Sequence, residues 1–140
     1  MNSMTVHASA VSVQNRGCLI VGAGGTGKST LALEMIAAGA TLIADDQTAV
    51  TRAGPALKLS APTPIAGQIE IRGIGLLQLV HTSATLGLIV DLDRKSFSRL
   101  PAKRYRHLLG VACPIIFGRG RNGLAAILDL ILRNGIETPT

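Results

Sequence analysis

Apolar residues run along this chain in short segments cut by Gly, Asp, Pro or Arg, and their periods predict more strands than helices. "AVSVQNRGCLIVGA" reads as two short strands around a turn at Asn15-Arg16-Gly17. "KSTLALEMIAAG" is built of helix formers and stops at Gly39, a residue suited to a helix C-terminus. "TLIADD" is a further short buried strand, and "TLGLIVDLD" is a strand that ends in carboxylates. "LKLSAP" and "IEIRGIGLLQLV" predict more strands, separated by Pro62, Pro64 and Gly67. "NGLAAILDLILRNG" closes the chain as a helix with Leu124, Ile127, Leu128, Ile131 and Leu132 on one face. Asn122 is its expected N-cap and Gly135 its expected stop. The first strand-loop-helix-strand unit is expected to be parallel with a right-handed crossover. The class is therefore α/β, a strand-rich sheet with flanking helices.

Length adds that residues 1–140 form one domain. With 47% apolar but only 2% aromatic residues, the core has to be aliphatic. Mean hydropathy is +0.40, yet no apolar run approaches the ~18 residues of a membrane helix. "MNSMTVHASAV" has no basic stretch followed by a long apolar one, so no secretory leader is expected. Cys18 and Cys113 lie in apolar segments without metal-ligand spacing, which predicts reduced core thiols and a cytoplasmic location.

The strongest chemical signal is Gly22-Ala23-Gly24-Gly25-Thr26-Gly27-Lys28-Ser29, which satisfies the Walker A pattern at every required position, with an apolar strand before it and a helix after. Glycines let successive N–H groups turn inward around phosphate oxygens, and the helix N-terminus adds its positive end. Lys28 reaches the β- and γ-phosphates and Ser29 the Mg²⁺ ion. Asp45 and Asp46 follow only 17 and 18 positions after Lys28. Neighbours on a straight strand face opposite sides, so either the strand ends and bends there or the two carboxylates do different jobs. One split puts a carboxylate at a reacting hydroxyl and the other at Mg²⁺ or a supporting network. Glu70 and Arg72, two apart, would share one strand face. His7 by itself carries no signal.

Net charge is +6, and eight of the 14 basic side chains lie between Arg94 and Arg121 with no acidic residue among them. Such a block suits an anionic ligand, an acidic partner or plain solvation. Phe97, Tyr105 and Phe117 are the only aromatic residues, too few for a base-stacking platform, so nucleic acid is not expected as a partner.

"VGAGGTGKSTLALEMIAAGATLIADDQTAV" followed by "IEIRGIG" resembles the catalytic domain of the HPr kinase/phosphorylase family, which places an "ADD" strand directly after the P-loop helix. The resemblance runs from His7 to Arg121 and looks like a short proteobacterial form without the family's N-terminal domain. It implies a P-loop kinase fold of the phosphoenolpyruvate-carboxykinase-like type and, with it, a hexamer. By position, His7 would sit near the phosphates, Asp45 would be general base and acid, and Asp46 would support the network or metal. Ser29 and Glu70 would hold Mg²⁺, while Arg72 would lie near nucleotide and partner beside the loop residues Gly22 to Thr30. "SFSRLP" resembles the family's "YDRLG" element, which makes Arg99 the contact to the transferred phosphoryl group. "GRGRNGLAAILDL" resembles a partner-binding loop and helix. Gly24 departs from the family's usual serine.

The implied activity is ATP- and Mg²⁺-dependent phosphorylation of a serine on an HPr-like phosphocarrier protein. In reverse, inorganic phosphate would attack phosphoserine and yield pyrophosphate. A small-molecule kinase and a non-catalytic nucleotide-binding regulator are the rival readings of the same loop.

Overall fold

The computed structural model describes residues 2–136. The first strands are β1 (Ser3–Val6), β2 (Ala8–Val13) and β3 (Arg16–Val21), followed by helix α1 (Lys28–Ala37) and β4 (Thr41–Ala44). Next come β5 (Thr48–Ala53), β6 (Ala56–Ser60), a 3-10 turn (Thr63–Ile65), β7 (Gln68–Ile71) and β8 (Gly75–Gln78). The remainder is β9 (Ala84–Asp91), β10 (Tyr105–Leu108), β11 (Val111–Phe117) and helix α2 (Leu124–Asn134). Nine strands join one sheet in the order β1-β5-β6-β9-β3-β2-β4, with β10 and β11 branching from β9.

β9 is the organising strand. One edge runs parallel to β3 along its length, and the other pairs first with β6, antiparallel, and then with β11, parallel. β3, β9 and β11 therefore end at one edge of the sheet, where ligands of open α/β sheets bind. β3 is buried on both faces. Leu19 and Val21 join an apolar layer with Ile43, Val50, Leu59 and Ile89, whereas Cys18 and Ile20 pack under the helices with Met35, Val90, Leu128 and Leu132. Burial without a compensating partner pushes the Cys18 thiol up to about 12, as the expectation of an inert core cysteine requires. Both cysteines are free.

Several sequence expectations change in detail. The β2–β3 hairpin turns at Gln14 and Asn15, both at positive φ (51° and 63°), so Arg16 already belongs to β3, opposite Val13. Gly17 is needed for packing rather than turning: a Cβ there would stand 2.9 Å from Leu59 Cδ1 and 3.0 Å from the Thr85 carbonyl oxygen. β4 does point the same way as β3, but β2 lies between them and is antiparallel to both. "IEIRGIGLLQLV" is a hairpin in a separate two-stranded sheet. Arg72 falls in its turn, where Gly73 adopts φ 81°, and so does not share a strand face with Glu70. The N-cap of α2 is Gly123, with no side-chain cap, instead of Asn122. Its buried face holds Leu128 and Leu132, with Ile127 left 37% exposed.

Candidate active site

The residues after β3 form a tight nest whose shape the glycines permit. A Cβ on Gly22 would stand 2.7 Å from Thr26 Oγ1 and 3.3 Å from Leu92 Cβ, so no larger residue fits. Thr26 Oγ1 donates to the Ala23 carbonyl at 2.7 Å, and Gly25 and Gly27 turn the chain at φ 82° and 97°. α1 then starts at Lys28, whose buried ammonium donates to the Gly22 and Ala23 carbonyls at 2.8 and 3.0 Å. Around Gly24, Gly25 and Gly27 nothing lies within 4 Å of an added Cβ, leaving the concave side open for phosphate oxygens.

A buried carboxylate closes the far side. Asp45 Oδ1 accepts 2.7 Å hydrogen bonds from both Ser29 Oγ and Ser9 Oγ. β4 ends one residue earlier, and Asp46 swings into the left-handed region at φ 67°. The chain bends here, so the strand ends at Ala44 and the two aspartates leave it in different directions. Asp46 is 68% exposed at its side chain, and its Oδ1 lies 3.5 Å from His7 Nδ1. One carboxylate is therefore buried against the loop serine, and the other faces solvent beside a histidine.

β9 supplies a second pair. Asp93 Oδ1 accepts the Ala23 N–H at 2.9 Å, and Asp91 Oδ1 accepts the Asp93 N–H at 2.8 Å. A cavity of about 420 Å³ opens between these elements, lined by His7, Gly22, Ala23, Asp91, Asp93 and Arg106. Arg106 also lines a neighbouring cavity of about 810 Å³ with Asp91, Arg94 and Arg104. Arg94 and Arg104 stack on the Phe117 ring at 5.6 and 4.3 Å from its centroid.

Of the residues singled out in the sequence, His7, Asp45, Asp46, Lys28 and Ser29 come together at the loop. Thr30 follows on the exposed flank of α1. Arg99, Glu70 and Arg72 are exposed, and none has a hydrogen bond or ion pair among the described residues. Arg99 does not line the loop cavity; Arg106, on β10, does. Sequence reasoning passed over Ser9, Asp91, Asp93 and Arg106. The carboxylates ending "LIVDLD" were legible as a strand end, but only the pairing of β9 with β3 puts them beside the loop.

The family model described as the HPr Serine kinase C-terminal domain matches residues 1–116. The chain belongs to this family. It is 34% identical to the HPr kinase/phosphorylase of Cupriavidus metallidurans, over 95% of this chain and 46% of that protein. Against the HPr kinase/phosphorylase of Bordetella pertussis the identity is 35%, over 94% and 48%. The chain thus spans about half the length of the curated relatives it matches. The structure of the Hpr(Ser) kinase/phosphatase from Coxiella burnetii superposes with a TM-score of 0.80 at 27% identity, over 94% of this chain and 89% of that one. The α/β fold with its strand-rich sheet and two flanking helices is the fold of that HPr kinase. No helix among the described residues is long and apolar enough to cross a membrane.

Gly24 lacks the left-handed backbone of its neighbours, and an added side chain there meets open space. Gly24→Ser is expected to change stability by no more than about 0.5 kcal/mol. Gly22→Ala is expected to lose on the order of 1–3 kcal/mol from clash and backbone strain. Denaturant unfolding and calorimetry of the two variants check this contrast.

Proposed function

We propose that the chain is an ATP- and Mg²⁺-dependent protein-serine kinase acting on an HPr-type phosphocarrier, with the reverse phosphorolysis at the same loop. The observation carrying this reading is the divided aspartate pair. Asp45 is locked to the loop serine, while Asp46 stands exposed beside His7, which lines the cavity at Gly22 and Ala23.

The residues present suit both ligands. Mg²⁺ takes one or two protein oxygens and fills its shell with phosphate and water, so Ser29 Oγ with Asp45 behind it is a sufficient donor set. Held there, the ion would supply neutralisation of the charge that develops on the phosphates. Free backbone N–H groups of the loop and the start of α1, with the Lys28 ammonium, hold the β- and γ-phosphates. Asp46 accepts the proton of the attacking serine hydroxyl, and His7 orients that carboxylate. This reverses the roles implied by resemblance, for a physical reason. A base must reach an incoming hydroxyl, and Asp45 is 7% exposed with two serines on one oxygen, whereas Asp46 is open. In the reverse direction protonated Asp46 returns the proton to the serine oxygen as phosphate held in the loop forms the new P–O–P bond, releasing serine and pyrophosphate.

Arg106 neutralises the transferring phosphoryl group in place of Arg99. Arg106→Ala is expected to reduce turnover by about 10²–10³-fold, the scale for one charged donor at a reacting centre. Arg99→Ala should change it by less than about tenfold. Equal losses in steady-state rates would refute this placement.

Transfer of label from γ-³²P-ATP tests the function. Label entering an HPr-type protein supports it; label entering only small metabolites identifies a small-molecule kinase. ATP binding without transfer to either identifies a regulator.

A further inference from the structure

The three parallel strands end in three loops, of which the proposed chemistry uses two. The loop after β11, Gly118-Arg119-Gly120-Arg121-Asn122-Gly123, has no part in it. It is fastened to the same edge: Leu92 N–H donates to the Val21 carbonyl, Gly118 N–H to Asp91 and Arg119 N–H to Arg94, at 2.9, 2.9 and 3.0 Å. Gly118 hugs the sheet, since a Cβ there would stand 2.8 Å from Leu124 Cδ2 and 3.1 Å from Val90 Cγ1. Held so, the loop faces the start of α1 across a cavity of about 470 Å³, lined on one wall by Thr26, Gly27 and Thr30 and on the other by Arg119, Arg121 and Asn122.

We propose that this cavity seats the base and ribose of the nucleotide whose phosphates lie in the loop at Gly22–Ser29. The inference rests on the phosphate-loop reading and extends it. His7, Asp91, Asp93 and Arg106 line the cavity at Gly22 and Ala23, where the acceptor serine enters. The space against Gly27 and Thr30 is a separate cavity flanking the same loop, and it leaves room for the nucleoside end of a triphosphate. Its volume lies within the range of small-ligand sites. Its chemistry fits a nucleoside. A planar guanidinium from Arg119 or Arg121 stacks on a base and offsets the α-phosphate charge, and the Asn122 carboxamide offers both a donor and an acceptor to a base edge. Gly120 and Gly123, at φ 73° and 69°, keep the loop narrow enough for its backbone to close on a flat ring.

Calorimetry with Mg-ATP and Mg-tripolyphosphate on the intact chain tests this. Tripolyphosphate carries the phosphates without the nucleoside. The parent is expected to bind ATP at least about tenfold more tightly, the scale of one stacked base. Asn122 is exposed, so Asn122→Trp fills the cavity from its rim without touching the core. It should bring ATP affinity down to that of tripolyphosphate while leaving tripolyphosphate within about twofold. Photolabelling with 8-azido-ATP should then mark residues 118–125 in the parent and lose that mark in the variant. Equal affinity of the parent for both ligands would overturn the base seat. So would an unchanged ATP preference in Asn122→Trp, or label confined to the Arg94–Arg106 side. In each of these cases the phosphate loop stands. If the parent binds neither ligand, the phosphate-loop reading fails and the base seat falls with it.

Discussion

Replacing Lys28 by alanine is expected to abolish measurable binding of both ATP and pyrophosphate in a protein that still folds. Lys28 is the loop's own cation, and its ammonium is buried against the Gly22 and Ala23 carbonyls instead of being paired with a carboxylate. It is therefore held in the loop with no carboxylate paired to it among the described residues, the state in which an arriving phosphate gains most. The remaining attraction comes from backbone N–H groups and the α1 N-terminus, each worth well under a full charge. Substitution also takes a donor from the Gly22 and Ala23 carbonyls, which sit at the partly exposed loop where water can replace it. Calorimetric titration with both ligands, beside a thermal melt, reads the two effects separately. Undiminished affinity for both in a folded variant would mean that Gly22–Ser29 is not the phosphate site.

The second large effect divides the aspartates. Asp46→Asn is expected to keep ATP affinity and lose about 10²–10⁴-fold in serine phosphorylation, the usual contribution of a positioned base. Asp45→Ala should instead destabilise the fold, because the Ser9 and Ser29 hydroxyls lose their shared buried acceptor. A cost of about 1–3 kcal/mol is the scale for buried polar groups left without partners. It should also weaken the Mg²⁺ dependence of nucleotide binding, since Ser29 is no longer oriented. Unfolding curves and single-turnover rates distinguish the two. Near-normal turnover in Asp46→Asn, together with a rate collapse and unchanged stability in the Asp45 variant, would return the proton to Asp45.

What could be read in the sequence, and what could not, follows the range of the interactions involved. The phosphate loop is a local object. The strand before it, the glycine spacing and the helix after it lie within about 20 residues, so the strand-loop-helix unit was legible at once. Gly39 likewise ends α1 through a contact within the helix itself, its N–H donating to the Ile36 carbonyl at 3.0 Å. The conformations of Asp45 and Asp46 were not legible. They depend on a single left-handed φ at Asp46 and on Ser9, 36 residues away from Asp45. Asp93 meets Ala23 across 70 residues, and only the β3–β9 pairing brings them together. The basic block shows the same effect of range. The resemblance of "SFSRLP" to a family element pointed to Arg99, and it is the β10–β11 hairpin that carries Arg106 to the cavity. The β7–β8 turn removed Arg72 from the strand because Gly73 reverses the chain two residues after Ile71, an event alternation cannot signal.

The most direct measurement is mass-spectrometric phosphosite mapping of an HPr-type protein from the same organism after incubation with this chain, ATP and Mg²⁺. Phosphate on one defined serine, removed again when inorganic phosphate is supplied and ATP withdrawn, with pyrophosphate released, is the expected result. The same reaction with Asp46→Asn should leave that serine unmodified. An HPr-type protein that remains unphosphorylated while the parent chain binds ATP, or a serine phosphorylated equally well by Asp46→Asn, would contradict the assignment.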